Sequence, residues 1–228
     1  MQHRLPFFHE LNRIRLRLDR RSTARGVVRN GPAKGTERTV ALSFDDGPSP
    51  ANTGPVLELL ARHDARATFF MVGEQVLEHP ALARAVLAAG HEIANHSHTH
   101  PDPSLVGAPE WMDEFARAAA AIESVVGVRP RLVRPPFGKR AEELAAGLAV
   151  DSTVVLWSVD SGDTAGFAAS RIAHEVVDHV RPGDIVLMHD GGAARPATIE
   201  AAAAILEALR RRGYRFVSVS DVLRANGD

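Results

Sequence analysis

Five polar sites in this chain, Asp45-Asp46, His96 with His100, Arg134, Asp160 with Asp163, and His189, each follow an apolar run of the kind that forms a buried strand. Carboxylates and imidazoles are the ligands of hydrolytic divalent cations. An arginine that keeps its proton can orient a carboxylate, and a histidine beside an acid can pass a proton to a leaving group. Gathered at the carboxyl ends of successive parallel strands, such groups make a metal-assisted hydrolytic site on an α/β barrel.

Each segment also has a plainer reading when taken alone. Ser43-Phe44-Asp45-Asp46-Gly47-Pro48 sends two adjacent acids into a turn set by glycine and proline. One acid can bind a cation while the other holds water as a general base, or the turn simply satisfies its own backbone. Asn95-His96-Ser97-His98-Thr99-His100-Pro101 carries three imidazoles at alternate positions. In a helical turn His96 and His100 share a face and can hold one metal at roughly 2 Å; in an extended segment all three line one side. A turn after a short strand favours His96 and His100, and spacing alone leaves His98 as a competing ligand.

In Leu132-Val133-Arg134-Pro135-Pro136-Phe137-Gly138 the prolines stiffen the loop. Arg134 suits orienting a carboxylate such as Asp45, and the Phe137 amide, next to Pro136, can face an oxyanion. Trp157-Ser158-Val159-Asp160-Ser161-Gly162-Asp163 and Ile185-Val186-Leu187-Met188-His189-Asp190-Gly191 repeat the pattern of strand and polar turn. His189 is the natural general acid there, whereas Asp190-Gly191 reads as a turn.

These sites need a scaffold, and its elements are legible. Strand-like runs are expected at 39–44, 67–72, 91–94, 132–133, 153–159, 184–188 and 216–219, alternating with helix-like stretches at 53–63, 80–89, 109–125, 141–147, 168–179 and 196–212. That alternation predicts an α/β fold of parallel βα units, a distorted (β/α) barrel with about seven parallel strands. About 190 residues follow the amino-terminal arm, short of the roughly 250 of a complete eight-unit barrel, so fewer units or an irregular closure is expected. A doubly wound open sheet is the competing architecture.

Residues 1–38 read as a basic amino-terminal arm and linker, and 39–228 as the catalytic domain. The arm alternates Arg13, Arg15, Arg17, Arg20 and Arg21 with Leu11, Ile14, Leu16 and Leu18. A solvated arm packed loosely on the barrel and a short amphipathic helix touching a membrane surface both fit that pattern. Gly26, Gly31, Pro32 and Gly35 mark an irregular lead-in. With no cysteine and a net charge of −1 over 228 residues, the chain has no thiolate chemistry, and its charge does not point to nucleic acid. As written it shows no signal peptide and is expected to be cytoplasmic; a preceding export segment would place it in the cell envelope or outside.

In their order and spacing the five segments resemble the NodB-type polysaccharide deacetylases of carbohydrate esterase family four, over roughly 39–223. The resemblance implies a single divalent metal, zinc with cobalt or nickel as alternatives, held by Asp46, His96 and His100. It implies Asp45 as base, Arg134 orienting it, His189 as acid tuned by either Asp160 or Asp163, and Phe137, Pro136 and Trp157 beside the oxyanion and substrate. The implied reaction is removal of N-acetyl groups from amino sugars by metal-activated water, on a chitin-like or peptidoglycan-like oligosaccharide or a metabolite containing N-acetylglucosamine. A hydrolase of a non-sugar amide or an O-acetyl ester with the same site competes, and so does a carbohydrate-binding module with a dead site. Two positions depart from the family pattern: Phe137 replaces the usual tyrosine, and Thr164 replaces a tryptophan that walls the sugar groove.

Overall fold

The computed structural model describes residues 26–31 and 38–224. Its strands are β1 (Val27–Val28), β2 (Thr39–Asp45), β3 (Ala67–Met71), β4 (Glu92–Asn95), β5 (Leu132–Val133), β6 (Thr153–Val155), β7 (Val159–Asp160), β8 (Ile185–His189) and β9 (Arg215–Phe216). The helices are α1 (Thr53–Arg62), α2 (Gly73–Glu78), α3 (Pro80–Ala88), α4 (Ala108–Val126), α5 (Ala141–Gly147), α6 (Ala169–His179), α7 (Pro196–Arg211) and α8 (Val219–Arg224). None of the described helices is long and apolar enough to cross a membrane.

All the strand pairs are parallel, in the order β1-β6-β5-β4-β3-β2-β8-β7, with β9 added to the start of β2. β6 and β7 sit six places apart in that order, which in a flat sheet is about 29 Å, yet only Leu156–Ser158 joins them, a reach of about 13 Å. The sheet must therefore curl until its edges face each other. It forms a half-barrel, and the open doubly wound sheet is excluded.

Side-chain alternation along β2 divides the core. Val40, Leu42 and Phe44 turn outward onto Val56 and Leu60 of α1 and Leu206 and Leu209 of α7. Ala41 turns inward onto Phe70, Ala94, Val155 and Ile185. Ser43 and Asp45 share that inward face by the period of two. Pairing register then levels the strand ends: Asp45 lies opposite Phe70 and His189, and Asn95 opposite Met71 and Val133.

Three expectations change. The run expected as one strand over 153–159 is split, because the Leu156 amide bonds to the Val28 carbonyl on one edge and the Ser158 amide to the Ile185 carbonyl on the other. The strand expected over 216–219 stops at Phe216, and Ser218 starts a helix by accepting the Asp221 amide through Oγ. The lead-in expected as irregular supplies β1, with Val27 buried against Trp111 and Leu144. The arm itself, 1–25, lies outside the described residues. α2, with six residues, was too short to show a period.

Phe69 is fully buried and stacks on Phe44 with ring centroids 5.2 Å apart, on the helix-facing side of the sheet, opposite the face that carries Ser43 and Asp45. Phe69→Ala is expected to cost about 3–5 kcal/mol in urea unfolding. The site geometry should survive in the folded fraction; a loss under 1 kcal/mol would contradict this packing.

Candidate active site

The carboxyl ends of β2, β4, β5 and β8 meet at one place. β2 runs into Asp46, whose positive φ of 74° turns its carboxylate away from that of Asp45. Asp46 Oδ1 is buried and lies 3.3 Å from His96 Nε2 and 3.2 Å from His100 Nε2, with no aligned hydrogen bond to either. The ligand atoms of Asp46, His96 and His100 all lie within 4.8 Å of one another. His96 Nδ1 donates to the Arg134 carbonyl over 2.8 Å, so Nε2 is the atom presented to Asp46.

The electrostatics match this geometry. Burial works against the charged form of Asp46, but the contacts with His100 and His96 prevail and hold it well below the usual carboxylate range. Burial lowers His100, and Asp46 more than reverses that. One carboxylate oxygen and two imidazole nitrogens with no thiolate suit zinc, cobalt or nickel. An otherwise unbonded buried oxygen aimed between the two rings fits such a cation.

His98, left open by spacing, is excluded by position: it is buried under the start of α2, where a Cβ on Gly73 would meet its Nδ1 at 2.3 Å.

Asp45 faces the same place from the barrel interior. Arg134 is fully buried and donates through Nη1 to Asp45 Oδ1 at 2.6 Å and to Ser43 Oγ at 2.9 Å. Its Nε and Nη2 reach the carbonyls of Val155 and Leu156, in the segment that closes the half-barrel. The guanidinium packs 3.8 Å from the Phe70 ring centroid and 5.6 Å from that of Trp157. Trp157 thus acts as a wall for Arg134, and its ring also abuts Gly138.

At the end of β8, level with Asp45, His189 Nδ1 contacts Asp163 Oδ1 at 2.8 Å, and the His189 amide donates to Asp163 Oδ2 at 2.9 Å. Thr198, in the first turn of α7, adds a third bond to Asp163. Burial lowers His189, but the hydrogen bond and charge of Asp163, with Asp45 and Asp46 beyond, push it up to about 9. Asp160 plays no part in this contact: it is exposed, and its Oδ1 accepts the Gly162 amide, closing the loop that delivers Asp163. Of the two acids, Asp163 is the one at His189.

Phe137 sits at the rim with φ 58°, its half-exposed ring edge-on to His100 at 5.1 Å, and Pro136 is buried behind it.

Two acids that matter here escaped the reading of the sequence. Asp190 is fully buried, and burial pushes it up to about 7 against the pull of a Thr53 hydrogen bond; Asp46 and Asp45 push it the same way. It packs under the acidic turn, where a Cβ on Gly47 would meet its Oδ1 at 2.4 Å. Glu114 of α4 accepts the amides of His98 and Thr99. Its signal was present, as a carboxylate on a buried stripe with Trp111, Phe115, Ala118 and Ile122.

A family profile described as polysaccharide deacetylase matches residues 33–151. The chain is 41% identical to a chitooligosaccharide deacetylase of Bradyrhizobium sp. over 82% of its own length and 92% of the relative's. It is also 41% identical to a peptidoglycan-N-acetylglucosamine deacetylase of Bacillus cereus, covering 82% and 89% of the two chains. The structure of the peptidoglycan deacetylase PdaC from Bacillus subtilis superposes with a TM-score of 0.76 at 33% identity, over 82% of this chain and 90% of that one.

Three outcomes follow from this geometry. Arg134→Met leaves Asp45 buried without its partner and is expected to destabilise the metal-free protein by about 3–5 kcal/mol in urea unfolding. Gly191→Ala places a Cβ 2.2 Å from that of Asp46 and should weaken zinc binding at least about tenfold by calorimetry. The protonated form of His189 is lost as pH rises through its elevated pKa, so a basic limb near pH 9 is expected in the kcat profile if it gives a proton to the leaving group. Asp163→Asn removes the anion that raises that pKa and should move the limb down by roughly one unit or more.

Proposed function

We propose that this chain, which belongs to the polysaccharide deacetylase family, removes N-acetyl groups from amino-sugar units with Asp45 as general base and His189 as general acid. As a member of that family it is a carbohydrate deacetylase. The observation that supports the assignment of roles is that Asp45, paired with Arg134, and His189, paired with Asp163, end the adjacent strands β2 and β8 beside the Asp46, His96 and His100 cluster.

The reaction adds water to an acetamide carbonyl, breaks the C–N bond, and releases acetate and a free amine. Asp46, His96 and His100 would hold a divalent cation, which would supply Lewis acidity for the acetyl carbonyl and for water. Arg134 ties down Oδ1 of Asp45, which leaves Oδ2 to take the proton of the attacking water. The backbone amide of Phe137, set between Pro136 and Gly138 in a left-handed turn beside His100, supports an oxyanion. His189 engages Asp163 through Nδ1 and has its Nε2 proton for the departing amine. No covalent intermediate is required, and the chain has no cysteine to form one.

The sugar class rests on the relatives, which act on chitooligosaccharide and on peptidoglycan N-acetylglucosamine. A second reading, a non-sugar amide or an O-acetyl ester, draws on Thr164 standing where the family pattern has tryptophan, which opens the groove wall.

Two variants test the roles. Asp45→Asn should lower kcat by about 10²–10⁴ yet keep its metal by elemental analysis, whereas His96→Ala should lose both. Full turnover by Asp45→Asn would overturn the base assignment. Acetate release from acetylated chitooligosaccharides, peptidoglycan, acetylated xylan and small N-acyl compounds separates the substrate classes. Release from none of them by the zinc-loaded protein would leave the reading of a binding module.

A further inference from the structure

We propose that Glu114 is a positioning residue for the metal-binding imidazoles, holding through one carboxylate oxygen the turn that carries His96 and His100. The inference rests on the reading of those two histidines as ligands.

The turn from His96 to His100 has two non-glycine residues in the left-handed region, Ser97 at φ 69° and His100 at φ 55°. Such a backbone persists only where its surroundings dictate it. The amides show what dictates it. The His96 amide is satisfied by the Met71 carbonyl, the last that β3 offers. Beyond that point side chains take the amides, while the Ser97 and His98 carbonyls accept the Gly73 and Glu74 amides of α2. Ser97 donates to Asn95 Oδ1 and His100 to Ser97 Oγ, both acceptors from the same stretch of chain. His98 and Thr99, in the middle, donate over 2.9 and 2.7 Å to a single atom, Glu114 Oε2.

Glu114 is thus the acceptor for the middle of the turn, and it comes from a separate element. Its side chain is 9% exposed, on the buried stripe of α4, and its other oxygen lies 3.5 Å from Arg117. Asn95 Nδ2 ties the same region to the Phe115 carbonyl at 2.9 Å, so α4 grips the turn at two successive residues. Apolar packing alone would put a leucine at 114. A carboxylate there leaves the two central amides paired and the spacing between the His96 and His100 rings, now 5.0 Å, defined. Removing it frees those amides in a place where the backbone is already in an unfavoured conformation. The imidazoles would then sample positions that cannot both reach Asp46.

The test is calorimetric titration of the full-length, metal-stripped protein with zinc alone. Wild type binds and His96→Ala does not, which establishes the ligand set independently; absence of binding by wild type, or equal binding by His96→Ala, would sink that set rather than the role of Glu114. Glu114→Ala is expected to weaken zinc binding about tenfold to a hundredfold. Glu114→Gln keeps an oxygen able to accept both amides and should stay within about threefold of wild type, with the same thermal midpoint when metal-free. Should the alanine variant not fold, Glu114→Asp, shorter by one methylene, takes its place with the same expected loss. The proposal is overturned if the truncated variant binds zinc as wild type does, or if the glutamine variant falls as far as the alanine one.

Discussion

A guanidinium sealed inside a barrel is costly unless its donors and charge are answered, and the site of this protein is arranged around the answer given to Arg134. Asp45 supplies the charge, Ser43 an oxygen, and the carbonyls of Val155 and Leu156 accept from Nε and Nη2. The rings of Phe70 and Trp157 lie against the cation. Those partners belong to β2, β3, β6 and the segment between β6 and β7, so one side chain connects Asp45 to the closure of the half-barrel. Its own carbonyl orients His96 as well. The proposed base, the proposed metal ligand His96 and the barrel edge are therefore coupled through a single residue.

Around that centre the same few groups are driven to opposite protonation states. Asp46 is held as a carboxylate by imidazoles, His189 is held as an imidazolium by Asp163, and Asp190 is forced up by burial, which outweighs the Thr53 hydrogen bond and the charge of His189. Neighbouring acids with different environments take different roles, which is how one fold runs base and acid chemistry at one pH. The close interlock of Gly47 and Gly191 with the acidic turns brings these environments within reach of one another.

How much of this was legible can be judged residue by residue. The five polar segments and their strands could be read because each strand is a short apolar run and each turn carries the chemistry. His96 and His100 could be favoured from spacing, but His98 was removed only by Gly73, which lies far off in the chain and seats it under α2. Asp160 and Asp163 were equivalent by type and position relative to a strand. They separate because a left-handed Gly162 turns the chain toward β8 and Thr198 waits on α7. Glu114 stood on an apolar stripe in plain view, yet its meaning depends on a turn that α4 meets only in space.

The sequence by itself determined the chemistry available and the parallel βα character, since ligand types, strand period and helix stripes are local properties of the chain. Family membership was readable for the same reason, through ordered segments that each carry their own residues. Tertiary structure alone decided which acid meets which base, because pairing across strands depends on register and curl, which no local pattern encodes. The curl itself follows from a three-residue connection between strands that lie six places apart in the sheet, a constraint that exists only once the strand order is known.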